Sequence, residues 1–305
     1  MGKIAFVFAG QGAQYQGMGK SLAEISPAAR AVFDMAERIR PGTREQCTQA
    51  AKEELSVTVN TQPCLFCVDL MAARALEERG VRADMAAGFS LGEIPALAFA
   101  GYMTDEQAFR FVVRRGEVMD ACAGENPGRM FAVVKLSAGD VEALCRAIPE
   151  CWPVNYNCPG QTVVACAAAS AAALTEAVKN AGGRALPLAV SGAFHSPYMK
   201  AATEALAAEF AQLAFAQAPV PVYANVTAQP YDAEELLFRQ ASSLVLWQRT
   251  IEAMLKDGAD TFVEVGPGKT LSGLIAKIAP DARICRVEDE KSLNETMEVL
   301  SSAEK

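Results

Sequence analysis

Histidine is almost missing from this chain: among 305 residues there is one, His195. No metal centre built on imidazoles is therefore expected, and any reaction that needs an imidazole base has a single candidate. Long apolar runs are missing too. None approaches the roughly 20 residues of a transmembrane helix, and the run Ile4–Ala9 lacks the charged start and cleavage site of a secretory leader, so no membrane partner is expected. There is no cysteine framework: nine cysteines, an odd number at irregular spacing, read as reduced thiols in a cytoplasmic protein. Positive charge is in deficit, with 28 Lys and Arg against 36 Asp and Glu and a net charge of −8, which argues against nucleic acid as a partner. What remains is 51% hydrophobic and 21% charged, a globular composition. The length suits one large domain or a large one with a smaller companion.

Strands and helices alternate. Ile4–Phe8 is a short buried strand followed by glycines. Helical spacing follows over 18–40, split by Ser26-Pro27 and stopped by Pro41-Gly42. Thr61-Gln62-Pro63 opens a helix that runs to about Gly80. Ala86-Ala87 then leads strand-like into Ser90, ahead of the apolar stretch Ile94–Ala100. Strand then helix, repeated, implies a parallel sheet covered on both faces. Near residue 125 the rhythm changes. Strand-like 130–135, a helix over 138–148, strands at 154–157 and 162–167 around Pro159-Gly160, a helix over 171–181 with Ser170 as N-cap, and a strand at 185–190 follow in turn. That is the split βαβ order of a ferredoxin-like unit. After His195 come helices at 200–217 and 248–257 and strands at 220–224 and 261–265. The expected fold is α/β. An α/β-hydrolase-like large domain with a parallel sheet takes residues 1–125 and 198–305, and an inserted ferredoxin-like small subdomain takes residues 126–197, ending at His195.

The motif with most chemistry is Gly88-Phe89-Ser90-Leu91-Gly92. G-x-S-x-G is the sharp strand-to-helix turn that lifts a serine hydroxyl to the edge of an α/β sheet. Alone it recurs by chance, but here a strand-like lead-in and an apolar helix flank it. Serine is a poor nucleophile until a base takes its proton. Counting leaves His195, which stands in a turn after a predicted strand. Gly10-Gln11-Gly12-Ala13-Gln14 fails as a nucleotide loop. Tyr15 stands where a dinucleotide fingerprint has its third glycine, and Gln14 where a P-loop running to Gly19-Lys20-Ser21 needs one. A backbone N–H aimed at an oxyanion suits it better. Cys64 and Cys67 lie in an apolar helix with no second pair, which reads as packing. Gly266-Pro267-Gly268 reads as a structural turn at least as readily as a phosphate site.

Six segments occur in one order: Gly10–Gln14, the Ser90 turn, Arg115-Gly116, Asn155–Gln161, Ala193–Ser196 and Glu264–Gly268. Together they resemble the malonyl-CoA:acyl carrier protein transacylases of fatty-acid synthesis, cousins of polyketide synthase acyltransferase domains, over about residues 3–280. The resemblance implies that Ser90 is acylated and His195 is its base. It also implies an oxyanion hole from the N–H groups of Gln11 and Leu91, a histidine oriented by a backbone carbonyl at Gln240, and Arg115 on the malonyl carboxylate. The last role has physical sense of its own: a guanidinium grips a carboxylate with two hydrogen bonds and is left unpaired by acetyl. By sequence alone, Arg114-Arg115 also reads as a solvated helix face.

The implied substrates are malonyl-CoA and a phosphopantetheinyl acyl carrier protein, with no cofactor and no metal, and the resemblance implies a monomeric protein. An acidic carrier calls for a cluster of Lys and Arg at the entrance. There is one departure: Phe89 stands where the family nearly always has histidine. The turn needs only small flanking residues and serine, so catalysis is expected to survive while acyl preference or carboxylate positioning shifts. Cys158, where the family favours serine, is a minor change. With no second imidazole, an activity step that titrates near neutral pH is expected to belong to His195 unless a perturbed cysteine or the N-terminus intrudes. Three other readings remain open: a hydrolase-type thioesterase with the same pair, a trans-acting polyketide-type acyltransferase, and an inactive carrier-binding scaffold.

Overall fold

The computed structural model describes residues 2–302 except 212, 214 and 217. Its strands are β1 (Lys3–Phe8), β2 (Met85–Gly88), β3 (Gly128–Val134), β4 (Cys151–Cys158), β5 (Gln161–Ala167), β6 (Arg184–Pro187), β7 (Val222–Tyr223), β8 (Ala259–Val265) and β9 (Arg283–Val287). Five of them form a parallel sheet in the order β7-β2-β1-β8-β9. The other four form a separate antiparallel sheet in the order β4-β5-β3-β6. The chain is thus mixed α/β, as expected.

β1 lies at the centre because it is apolar on both faces: Ile4 through Phe8 are all buried. Its register pairs Phe8 with Gly88 on one side and with Val265 on the other. The turns after β1, β2 and β8 therefore emerge side by side at the carboxyl edge. β2 and β7 lie to one side of β1, β8 and β9 to the other, and such a reversal of strand order is where open α/β sheets bind ligands.

The helix Thr58–Glu78 is buried on nearly every side and starts earlier than Thr61-Gln62-Pro63 suggested, with Pro63 inside it. Burial of Leu65, Phe66, Val68 and Leu70 outweighs the one missing N–H. The helix Asp105–Glu125 is opened by a capping box between Thr104 and Gln107. The expected helix over 200–217 ends at Glu209. Beyond it, Phe210 stacks on Phe111 and Phe215 on Tyr102 and Tyr231, so aromatic packing holds irregular chain against the core; positions 212, 214 and 217 lie outside the described residues. Ser170 stands at the N-cap position of Ala171–Asn180 but does not cap it, because its hydroxyl donates to the Pro149 carbonyl at 2.6 Å. The small sheet is tied to the rest of the molecule. Tyr156 N–H donates to the Val245 carbonyl, and Val245 N–H to that of Val154, each at 2.9 Å. No described helix is long and apolar enough to cross a membrane.

Candidate active site

Gly88 ends β2, Ser90–Gly92 make one tight 3-10 turn, and the helix Glu93–Ala100 follows at once. Only glycine fits beside the serine. A Cβ on Gly88 would lie 1.9 Å from the Gly92 carbonyl carbon, and one on Gly92 2.3 Å from the Phe8 oxygen. Ser90 has φ 52° and His195 φ 62°. Residues with side chains rarely adopt this left-handed region, and surroundings that impose it mark functional sites.

Ser90 and His195, 105 positions apart, meet with Oγ 2.7 Å from Nε2. Nδ1 lies 3.0 Å from the Gln240 carbonyl oxygen and 3.2 Å from that of Ser243. Both partners only accept, so Nδ1 carries the proton and Nε2 presents a lone pair to the serine hydroxyl. Backbone carbonyls thus stand where other serine sites have an acid. Burial, and after it the nearby Arg115 charge, push the imidazole pKa down to about 4. His195 is therefore neutral at physiological pH, the form a base needs. This corrects the expectation that a near-neutral step belongs to it. The group placed there is Glu93, fully buried and pushed up to about 7 by desolvation despite hydrogen bonds from Tyr231, Asn225 and Gln240.

Adjacent helix positions point about 100° apart, and here they separate the two arginines. Arg114 faces solvent and pairs with Glu117 and Glu209. Arg115 is only 2% exposed. Its guanidinium donates to Gln62 Oε1 at 2.9 Å, Gln240 Oε1 at 2.7 Å and Ser90 Oγ at 3.3 Å. All three acceptors are neutral. Burial lowers the Arg115 pKa to about 10, which leaves it a cation. Gln240 does more than the one carbonyl anticipated for it: its side chain also donates to the Ser90 carbonyl at 2.7 Å. No local pattern marks Gln62, Ser243 or the Gln240 amide in the sequence, because each acts on partners far away in the chain.

These groups open on a cavity of about 190 Å³. Gln11, Phe89 and Ser90 line it from the loops after β1 and β2 and Arg115 from the helix Asp105–Glu125; Met130, Ala132, Asn155, Asn157, Gln161 and Val163 line it from the small sheet. Leu91 follows Ser90 in the tight turn, with its side chain in the core. The Phe89 ring packs edge-on against Trp247, centroids 5.4 Å apart, and borders the cavity. The loop after β8 is a structural turn: Gly266 N–H donates to the Val287 carbonyl and Gly268 N–H to the Glu288 carboxylate. Cys64 and Cys67 are fully buried, and burial pushes the Cys67 thiol well up, which fits packing.

A family profile described as the acyl transferase domain matches residues 5–283. The malonyl CoA-acyl carrier protein transacylase of Bacillus subtilis (strain 168) is 36% identical over 310 residues, covering 98% of each chain. A crystal structure of the protein so named from Clostridium perfringens superposes with a TM-score of 0.94 at 34% identity, covering 99% of this chain and 98% of that one. A malonyl-transacylase solved in complex with its type II PKS acyl-carrier protein follows, at 0.92 and 33% identity, covering 97% and 99%. The fold and site define an acyltransferase. Within that class the chain belongs to the malonyl CoA-acyl carrier protein transacylase family.

Proposed function

We propose that this protein moves a malonyl group from malonyl-CoA to the phosphopantetheine thiol of an acyl carrier protein. Arg115 carries the reading: it is a buried cation with neutral hydrogen-bond partners, 3.3 Å from a serine hydroxyl that faces a neutral imidazole. A malonyl carboxylate supplies the anionic acceptor that these neutral partners lack and sets the thioester carbonyl over Ser90. Ser90 Oγ attacks that carbonyl as its proton passes to His195 Nε2. The Gln11 and Leu91 N–H groups hold the oxyanion, and the Gln240 and Ser243 carbonyls hold Nδ1–H of the imidazolium. The C–S bond then breaks, and Nε2 returns its proton to the departing thiolate. The carrier thiol reverses the sequence. Thioester, ester and thioester interconvert without net redox change or loss of atoms, so the cycle is complete without a cofactor or metal. The names of the relatives, and the one solved with its carrier, support donor and acceptor.

The two-part division is supported by the elbow at the carboxyl edge of the large sheet, which we read as an α/β-hydrolase-like domain (1–125 and 198–305). For 126–197, the order β6-β3-β5-β4 supports the ferredoxin-like reading. Roofing the cleft, the small unit limits water that would hydrolyse the ester. Nine free cysteines support a cytoplasmic location. Arg115 is the one cation among the described residues lining the cavity, so the basic cluster expected to meet an acidic carrier belongs outside its walls.

Intact-protein mass spectrometry tests the reading. Malonyl-CoA should add one malonyl group at Ser90, holo-carrier should discharge it, and Ser90→Ala should carry none. Release of free malonate faster than transfer would favour a thioesterase, and no adduct at all a scaffold.

A further inference from the structure

Ser90 is held in its left-handed conformation by a side chain that does not reach the cavity. Asn225, fully buried just past β7, accepts from the Ser90 N–H through Oδ1 at 2.7 Å and donates through Nδ2 to the Gly88 carbonyl at 2.6 Å. One carboxamide thus bridges the last carbonyl of β2 and the nucleophile's own amide. Asn225 is itself fixed: its N–H donates to Glu93 Oε2 at 2.6 Å, and its carbonyl accepts from Leu246 N–H at 2.9 Å. The other Glu93 oxygen accepts from the Tyr231 hydroxyl. None of Asn225, Glu93 and Tyr231 lines the cavity; Asn225 reaches it through Gly88 and Ser90, while the buried Glu93 carboxyl also bears electrostatically on Arg115.

We infer that Asn225, anchored by Glu93 and Tyr231, is a positioning residue that clamps the entry to the nucleophile turn at Gly88 and Ser90 and so aims Ser90 Oγ at His195 Nε2. The inference rests on Ser90 being the nucleophile. A carboxamide suits the place, which needs an acceptor for one buried group and a donor for the other, offered here by two separate atoms of one planar group. Without the clamp, two buried backbone groups lose their partners and the turn can relax towards ordinary φ. The hydroxyl then swings off its line to the base, and a displacement of about 1 Å in such a geometry costs about 10²-fold in rate.

The test follows Ser90 acylation by rapid quench in Asn225→Ala, Asn225→Asp and Tyr231→Phe. Malonyl-CoA affinity is compared between Ser90→Ala and Ser90→Ala/Asn225→Ala. Asn225→Ala should slow acylation by about 10²-fold with affinity unchanged. Asn225→Asp should be no faster, since a carboxylate opposes the Gly88 carbonyl, and Tyr231→Phe should slow acylation several-fold. An acylation rate within about threefold of the parent in folded Asn225→Ala, or a loss mirrored in affinity, would overturn the assignment. If Asn225→Ala does not fold, Tyr231→Phe decides by the same comparison. Labelling of Ser90 by a fluorophosphonate separates the two ideas. If the parent labels but forms no malonyl ester, malonyl transfer fails, and the labelling rates of these variants still settle the positioning role.

Discussion

At the residue scale, the charge states of His195 and Arg115 are tied together. The imidazole is held near 4 first by burial and then by Arg115, and a malonyl carboxylate on Arg115 would remove the second cause. A chain with one histidine gives one imidazole Cε1–H signal, so NMR reads the titration without assignment. The free protein should titrate near 4, and Arg115→Ala should titrate higher; a midpoint between 6 and 7 in the parent would contradict the burial argument. Arg115→Ala should also lower kcat/KM for malonyl-CoA by about 10²-fold or more while leaving acetyl-CoA unharmed, because only the malonyl group carries a charge for it to bind. Selectivity unchanged in that variant would remove Arg115 from the carboxylate site. Ser90 and His195 were legible because a motif marked one and scarcity marked the other. Gln62 and Asn225 were not, because their partners lie 53 and 135 positions away.

At the scale of elements, the site depends on the pitch of one helix and the tightness of one turn. The helix Asp105–Glu125 aims Arg115 inward, and its register starts at the Thr104 capping box. Thr104→Ala should cost about 1 kcal/mol, seen as a lower denaturation midpoint, with acylation retained. Loss of acylation at full occupancy of the folded state would mean that the cap sets the arginine's position as well. β1, β2 and β8 were readable from apolar runs, and the helices after them from spacing and stop signals. The end of the helix at Glu209 was not, since Phe210 and Phe215 leave the helical path for aromatic partners on distant elements.

Across the whole molecule, two buried groups at the site give opposite pH dependences of stability. His195 falls from 6.5 unfolded to about 4 folded, so its contribution is full above 6.5 and is lost as pH falls towards 4. Glu93 rises from 4.5 to about 7, so its contribution is full below 4.5 and is lost as pH rises to 7. Each amounts to something on the order of 3 kcal/mol, and over the shared window the two slopes oppose. In Glu93→Gln the His195 slope should stand alone, so the stability of the variant relative to the parent should rise between pH 4.5 and 7. Thermal melts across that range check it; parallel curves would refute the Glu93 shift.

The amino-acid sequence by itself determined the alternation of strands and helices, the serine turn and the identity of the only imidazole. These follow from local periodicity, from two glycines forced by close approach and from a count of one. Tertiary structure alone decided that Arg115 and not Arg114 reaches Ser90 Oγ, that the carbonyls of Gln240 and Ser243 lie within hydrogen-bond reach of His195 Nδ1, and that burial carries His195 and Glu93 in opposite directions. Desolvation and hydrogen-bond geometry depend on which distant segments close over a residue, and no local pattern encodes that.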